Sequence, residues 1–214
     1  EIGVASTKAF TAQLTVLLSF AVALAKAKGS IDAGRATQIH QQIQGLPGLV
    51  GRALTLFDPI RPIAHALSQA RSALYLGRGT LYPLALEGAL KLKELSYIHA
   101  EGFASGEMKH GPIALIEEGL PVVALLAADE VMAKASSNLR EAAARGGQII
   151  LITEERAVHE VDFADAVITV PNVDSLLAPI LLAVPAQILA YLTAVEKGTD
   201  VDQPRNLAKS VTVE

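Results

Sequence analysis

The sequence contains no cysteine. Disulfides, zinc–thiolate sites and a cysteine nucleophile are therefore excluded for this chain. Tryptophan is absent, aromatic residues make up only 4%, no block of basic residues occurs, and the net charge is −4. These shortages remove the cationic footprint and the stacking platforms that a nucleic-acid partner needs. No His and carboxylate spacing suits a metal, and no GxSxG elbow or P-loop is present. The motifs ask for no cofactor. A secretion signal needs a positive start, whereas this chain opens with Glu1, so a cytoplasmic setting is the default expectation.

What is abundant is apolar. Of 214 residues, 51% are hydrophobic and 19% charged, enough for one α/β domain with additional helices. The mean hydropathy of +0.38 is high for a soluble monomer, and a homodimer that covers part of the apolar surface is expected. The most apolar early run is Ala9 to Ala25, "AFTAQLTVLLSFAVALA". A membrane span needs roughly 20 apolar residues, and this run is interrupted by Thr11, Gln13, Thr15 and Ser19. It reads as a buried core helix, with no membrane partner.

The first 70 residues read as all-helical. One helix starts near Ser6 or Thr7 and stops at Gly29, and a second covers about Asp32 to Gln44. "GLPGLVGRAL" breaks the pattern, and "DPIRPIAHALSQA" restarts it with Pro62 in a first turn. From Ser72 the style changes. Short apolar runs at 73–77, 121–126, 148–153 and 166–170, with a further strand near 98–103, alternate with helical stretches around 130–144 and 175–195. Continuous apolar strands between helices indicate a parallel sheet covered on both faces. The expected class is α/β, a doubly wound parallel sheet of about five strands preceded by an all-helical segment. The last stretch, from Glu196, has no period and reads on pattern alone as a frayed tail.

Open α/β sheets bind ligands beyond the carboxyl ends of their strands, and three pieces are candidates. In "LGRGT", Leu76 to Thr80, glycines allow a tight turn and Thr80 can cap the next helix, where free N–H groups attract phosphate. In "EGALKLKELSYIHAEG", Glu87, Lys91 and Glu94 share a helical arc of about 60°. Leu84 and Leu95 flank this arc on one side, Leu86 and Leu90 on the other. Such a stripe is either a surface salt ladder or a set of groups facing a cleft, where desolvation raises a carboxyl pKa. In "ASGEMKHGP", a turn-rich loop brings Glu107, Lys109 and His110 together, and a loop His is a candidate acid–base. His40, His65 and His159 lack such a setting, and His99 reads as a strand residue.

Three segments carry a family resemblance: "EIGVASTKAFTAQL", "LGRGTLYPLALEGALKLKELSYIHAEGFASGEMKHGP" and "KGTDVDQPRNLAKSVTVE". They resemble, in register over essentially the whole chain, the glucosamine-6-phosphate synthases, the isomerising glutamine–fructose-6-phosphate aminotransferases. The resemblance implies an isomerase half that converts fructose 6-phosphate and ammonia into glucosamine 6-phosphate. It implies the end of a first sugar-isomerase (SIS) domain over 1–28, a helical connector over 29–70, a second SIS domain over 71–197 and an active-site tail over 198–214. A glutaminase domain and a Ser/Thr-rich phosphate loop are expected to precede these segments in the parent protein. By residue, Glu94 matches the base that moves a proton between C1 and C2. His110 matches a ring-opening His that reaches the neighbouring subunit's site, and Lys209 matches a Lys that forms an imine with the ketone. Glu87 and Lys91 match supporting groups, and Val4 and Ala208 match positions whose backbone meets the phosphosugar. An imine-forming Lys needs partial burial, so the tail is expected to be ordered rather than frayed. A SIS module that binds a phosphosugar without turning it over is the alternative.

Overall fold

The computed structural model describes residues 2–209. Three helices come first, α1 (Lys8–Ala27), α2 (Ala33–Ala53) and α3 (Phe57–Ser68). The sheet region follows as β1 (Ser72–Gly77), α4 (Leu81–Ser96), β2 (His99–Ala104), β3 (Pro121–Leu126), α5 (Met132–Ala143), β4 (Gln148–Glu154), β5 (Ala166–Val170) and α6 (Ala178–Lys197). The five strands pair in the order β2-β1-β3-β4-β5, all parallel. The expected doubly wound class is thus observed.

Alternate strand residues point to two separate cores, which is why the strands read as unbroken apolar runs. Ala73, Tyr75, Val123, Leu125, Ile150 and Ile152 face one core, filled by α3, α4 and α6. Leu74, Leu76, Val122, Ala124, Ile149 and Leu151 face the other, filled by α5. Helix α6 is the centre of the first core and is buried along most of its length.

Three helical expectations need correction. Helix α2 does not stop near Gln44 but runs through Pro47 to Ala53. Ile39, Leu46 and Ala53 recur every seven residues and are all buried, and their packing offsets the hydrogen bond that Pro47 cannot donate. Pro62 lies in the interior of α3, because that helix begins at Phe57. Helix α1 is not a buried core helix. Phe10, Leu14, Leu18 and Val22 pack against the core as one stripe, while Val16, Leu17 and Phe20 are each more than 60% exposed. The described residues supply a partner for one side of α1 only. By length and composition α1 and α6 could each cross a membrane, and α6 is largely buried within the fold.

Tyr75 shows how tight the first core is. Its ring lies across Gly88 of α4, where an added Cβ would come 2.7 Å from a ring carbon. Its hydroxyl is buried with no hydrogen-bond partner among the described residues, and burial pushes the phenol well above its usual range. Removing an unsatisfied buried hydroxyl relieves a desolvation cost, so Tyr75→Phe should leave stability unchanged or raise it by up to about 1 kcal/mol. Chemical denaturation checks this, and a clear loss would show that the hydroxyl has a partner.

Candidate active site

Helix α4 runs from the carboxyl end of β1 back to the amino end of β2, so its residues are split between two ends of the sheet. At the carboxyl end, the "LGRGT" turn is closed. Gly77 is required there, since a Cβ would sit 2.1 Å from the carbonyl oxygen of Leu81. Thr80 makes no side-chain cap, contrary to expectation, because the first turn is closed by Leu81 and Tyr82 donating to the carbonyls of Arg78 and Gly79. The Arg78 guanidinium crosses this switch point, donates to Asn138 Oδ1 at 3.0 Å and lies against Gly106, where a Cβ would have to displace it. Two of the N–H groups at this turn and one nitrogen of Arg78 are therefore already bonded within the protein.

The stripe lies on α4 toward its carboxyl terminus, and Glu94 sits near the amino ends of the strands rather than the expected carboxyl ends. Lys91 is its centre. Its ammonium donates to Glu94 Oε2 at 2.6 Å and lies 3.6 Å from Glu87 Oε1. The side chains of Lys91, Glu87 and Glu94 are only 5%, 15% and 21% exposed, which excludes a solvated salt ladder. Leu84 and Leu95 are buried on one side, while Leu86 and Leu90 remain partly open on the other. Burial raises the Glu87 pKa, and Glu94 adds to the rise, while the Lys91 charge opposes both.

The tail after α6 folds back onto this stripe. The Thr199 hydroxyl donates to the Leu95 carbonyl at 2.6 Å, and the Val4 N–H donates to the Asp202 carbonyl at 2.9 Å. The Arg205 N–H donates to the Tyr97 hydroxyl at 2.9 Å, and the Arg205 guanidinium lies 4.1 Å from the centre of the Tyr97 ring. The tail is thus fastened as far as Arg205; residues 210–214 lie outside the described residues. The tail borders two clefts. One, of about 500 Å³, is lined by Glu94, Tyr97, Arg205 and Leu207 among others. The other, of about 280 Å³, is lined by Lys91, Leu95, Gln187, Val201 and Asp202, with Gly3 and Ala5 of the N-terminal segment. A cleft of about 530 Å³ lies elsewhere, between α2 and the loop after β5. Its charges are already satisfied, with Arg35 2.6 Å from Asp174 and Arg156 2.9 Å from the buried Glu154.

The sequence-derived residues are therefore gathered only in part. Glu87, Lys91 and Glu94 form one cluster, and Val4 is tied to the tail that covers it. Ala208 and Lys209 are exposed, so the expected partial burial of Lys209 is not met: the chain beyond the buried Pro204 runs along the surface. His110 ends a 3-10 segment, Ser105–His110, rather than lying in an open loop. It follows the carboxyl end of β2, on the order of 15 Å or more from Glu94 by strand length. Sequence reading missed Thr199, Tyr97 and Arg205 as the groups that fasten the tail. An Asp and Pro rich tail signals turns, but nothing in the sequence says which helix they dock on.

Three comparisons bear on this geometry. The SIS domain family matches residues 66–197. A glutamine–fructose-6-phosphate aminotransferase [isomerizing] of Agrobacterium fabrum is 56% identical over the whole chain, which spans 36% of that protein. The protein of the same name from Zymomonas mobilis is 54% identical, with 35% of its length spanned. The chain thus spans about a third of the length of the curated relatives it matches. Among solved structures, the C-terminal domain of glucosamine-fructose-6-phosphate aminotransferase from Francisella tularensis superposes with a TM-score of 0.91 at 44% identity, over 95% of this chain and 57% of that one. A glucosamine-6-phosphate deaminase from Thermotoga maritima, 23% identical with a TM-score of 0.69, covers 99% of this chain and 58% of that one and shares the fold.

Proposed function

This chain belongs to the SIS domain family, and from that premise we propose that it is the isomerase part of a glutamine–fructose-6-phosphate aminotransferase. The reaction joins fructose 6-phosphate and ammonia into glucosamine 6-phosphate. The observation that carries this reading is the half-buried Glu87–Lys91–Glu94 cluster beneath the tail that bears Lys209.

Ketose–aldose exchange moves a proton between neighbouring carbons, which needs one base held beside both. Glu94 suits this role. Lys91 holds Oε2, and Oε1 makes no hydrogen bond among the described residues, so one oxygen is oriented and the other is available to the sugar. Lys209 supplies the amine that forms an imine with the ketone, and closure of the tail over a bound sugar supplies the shelter that this amine needs. Val4 and Ala208 contribute backbone contacts to the phosphosugar. The position of His110 away from Glu94 agrees with its acting in the site of a second copy within a homodimer, and the bare face of α1 agrees with packing against the rest of a first SIS domain. The remaining length of the parent would hold a glutaminase domain that releases ammonia. Residues 1–28 would close a first SIS domain, 29–70 connect, 71–197 form the second and 198–214 complete the site, in a cytoplasmic enzyme.

The exposure of Lys209 favours a second reading, a SIS module that binds a phosphosugar without turning it over. Incubating the full-length protein with fructose 6-phosphate in deuterium oxide separates the two. Deuterium at C1 or C2 of the sugar is expected, and binding without any incorporation would overturn the isomerase reading.

A further inference from the structure

The backbone of Tyr97 is unusual. It caps α4 in the left-handed conformation, at φ 61° and ψ 13°, where a Cβ is disfavoured and glycine is the common occupant. A bulky residue in such a conformation is retained where its side chain does something that glycine could not. Here that side chain makes two contacts to a single tail residue. The Tyr97 hydroxyl accepts the N–H of Arg205, and its ring carries the Arg205 guanidinium.

We propose that Tyr97 is a positioning residue, a latch that fixes the tail at Arg205 and so limits where the Lys209 amine can go. The proposal rests on the isomerase reading above, and it adds a residue which that reading does not use. Lys209 lies four positions after Arg205 and seven after Asp202, the tail residue held by the Val4 N–H. At roughly 3.5 Å per extended residue, the latched amine is confined to about 14 Å of backbone reach, against about 25 Å when Asp202 is the last fixed point. Effective concentration falls as about the −3/2 power of tether length, which gives about a twofold loss from this change alone. Misorientation at the reacting carbon increases that loss. Asn206, also left-handed at φ 63°, turns the chain directly after the latch, toward the cleft that Glu94 and Leu207 line.

Three variants of the full-length protein test this. Tyr97→Phe keeps the ring and loses the hydrogen bond. Tyr97→Gly loses both contacts but suits the backbone. Arg205→Ala loses the stack without touching α4. Amide exchange of the tail peptide containing Arg205 should quicken about fivefold in Tyr97→Phe and at least tenfold in Tyr97→Gly. In Tyr97→Gly kcat should fall threefold to tenfold, and in Arg205→Ala, which keeps the backbone hydrogen bond to Tyr97, about twofold, each with KM within twofold of wild type. The melting temperature of Tyr97→Gly should stay within about two degrees. Unchanged amide exchange in Tyr97→Gly overturns the latch. Faster exchange with unchanged kcat overturns the positioning role, and a joint fall of kcat, KM and melting temperature assigns Tyr97 to structure alone. Failure of the isomerase reading looks different: wild type itself would then move no deuterium into the sugar.

Discussion

Glu94→Gln should lower deuterium incorporation at C1 and C2 of fructose 6-phosphate by on the order of a thousandfold, with the fold intact. The substitution conserves shape and still offers Lys91 an oxygen in place of Oε2 at 2.6 Å. It removes the basicity of the oxygen that Lys91 leaves uncommitted. General acid–base groups contribute about 10² to 10⁴ in rate, and a carboxylate only 21% exposed stands within that range. KM should change by less than about threefold, because an amide binds a polyol much as a carboxylate does. Glu87→Gln provides the comparison. Glu87 sits farther from Lys91, at 3.6 Å, and has a supporting part, so about a tenfold loss is expected. Isotope incorporation with full-length variants, alongside thermal melts, measures both. Incorporation within threefold of wild type in Glu94→Gln would move the base elsewhere.

Lys91→Met should destabilise the protein by about 3 kcal/mol near pH 8 and by distinctly less near pH 5. Methionine fills a similar volume, so the cost is electrostatic. Removing one partner of a buried ion pair leaves the other charges uncompensated, and here two carboxylates would be stranded. In wild type, burial raises the Glu87 pKa and Lys91 opposes the rise. Without Lys91 only burial and Glu94 act on Glu87, and both raise it. A carboxyl whose folded pKa exceeds its unfolded value binds its proton more tightly when folded. Its contribution is fully present below the unfolded value of 4.5 and is lost as pH rises through the raised folded value. The deficit of Lys91→Met should therefore grow from pH 5 to pH 8, as urea denaturation at the two pH values would report. An equal deficit at both would mean that Lys91 contributes by packing its methylene stem rather than by charge.

These two expectations depend on features of unequal legibility. The strands could be read because both faces of the sheet are covered, so Val122 to Leu126 and Ile149 to Ile152 carry no polar interruptions. Helix ends were less legible. Pro47 marks a stop by local rules, yet the stripe of Ile39, Leu46 and Ala53 carries α2 past it. Spacing alone put Glu87, Lys91 and Glu94 on one arc, but it could not tell a ladder from a cleft. What decides between them is the burial of Lys91, and burial depends on which distant segments pack around α4. The same holds for Tyr97, whose left-handed backbone has no glycine to announce it. The outward face of α1 is not legible, because an apolar helix buried within a chain and one left partly bare have the same composition.

The Val4 to Asp202 hydrogen bond has a consequence for the order of events during synthesis and folding. It joins residues nearly 200 positions apart and lies beside the cleft that holds Lys91. Closing so long a loop costs about 4–5 kcal/mol in chain entropy, which is recovered only after the sheet and α6 have brought its ends together. The sheet can pair strand by strand as the chain emerges from the ribosome, but the cleft cannot form until the residues after α6 have been made. A chain stalled or clipped between Lys197 and Asp202 would hold a nearly complete core and lack the tail wall of this cleft. Ligand binding would then report on completion of the chain, while spectroscopic signals of helix and strand would not.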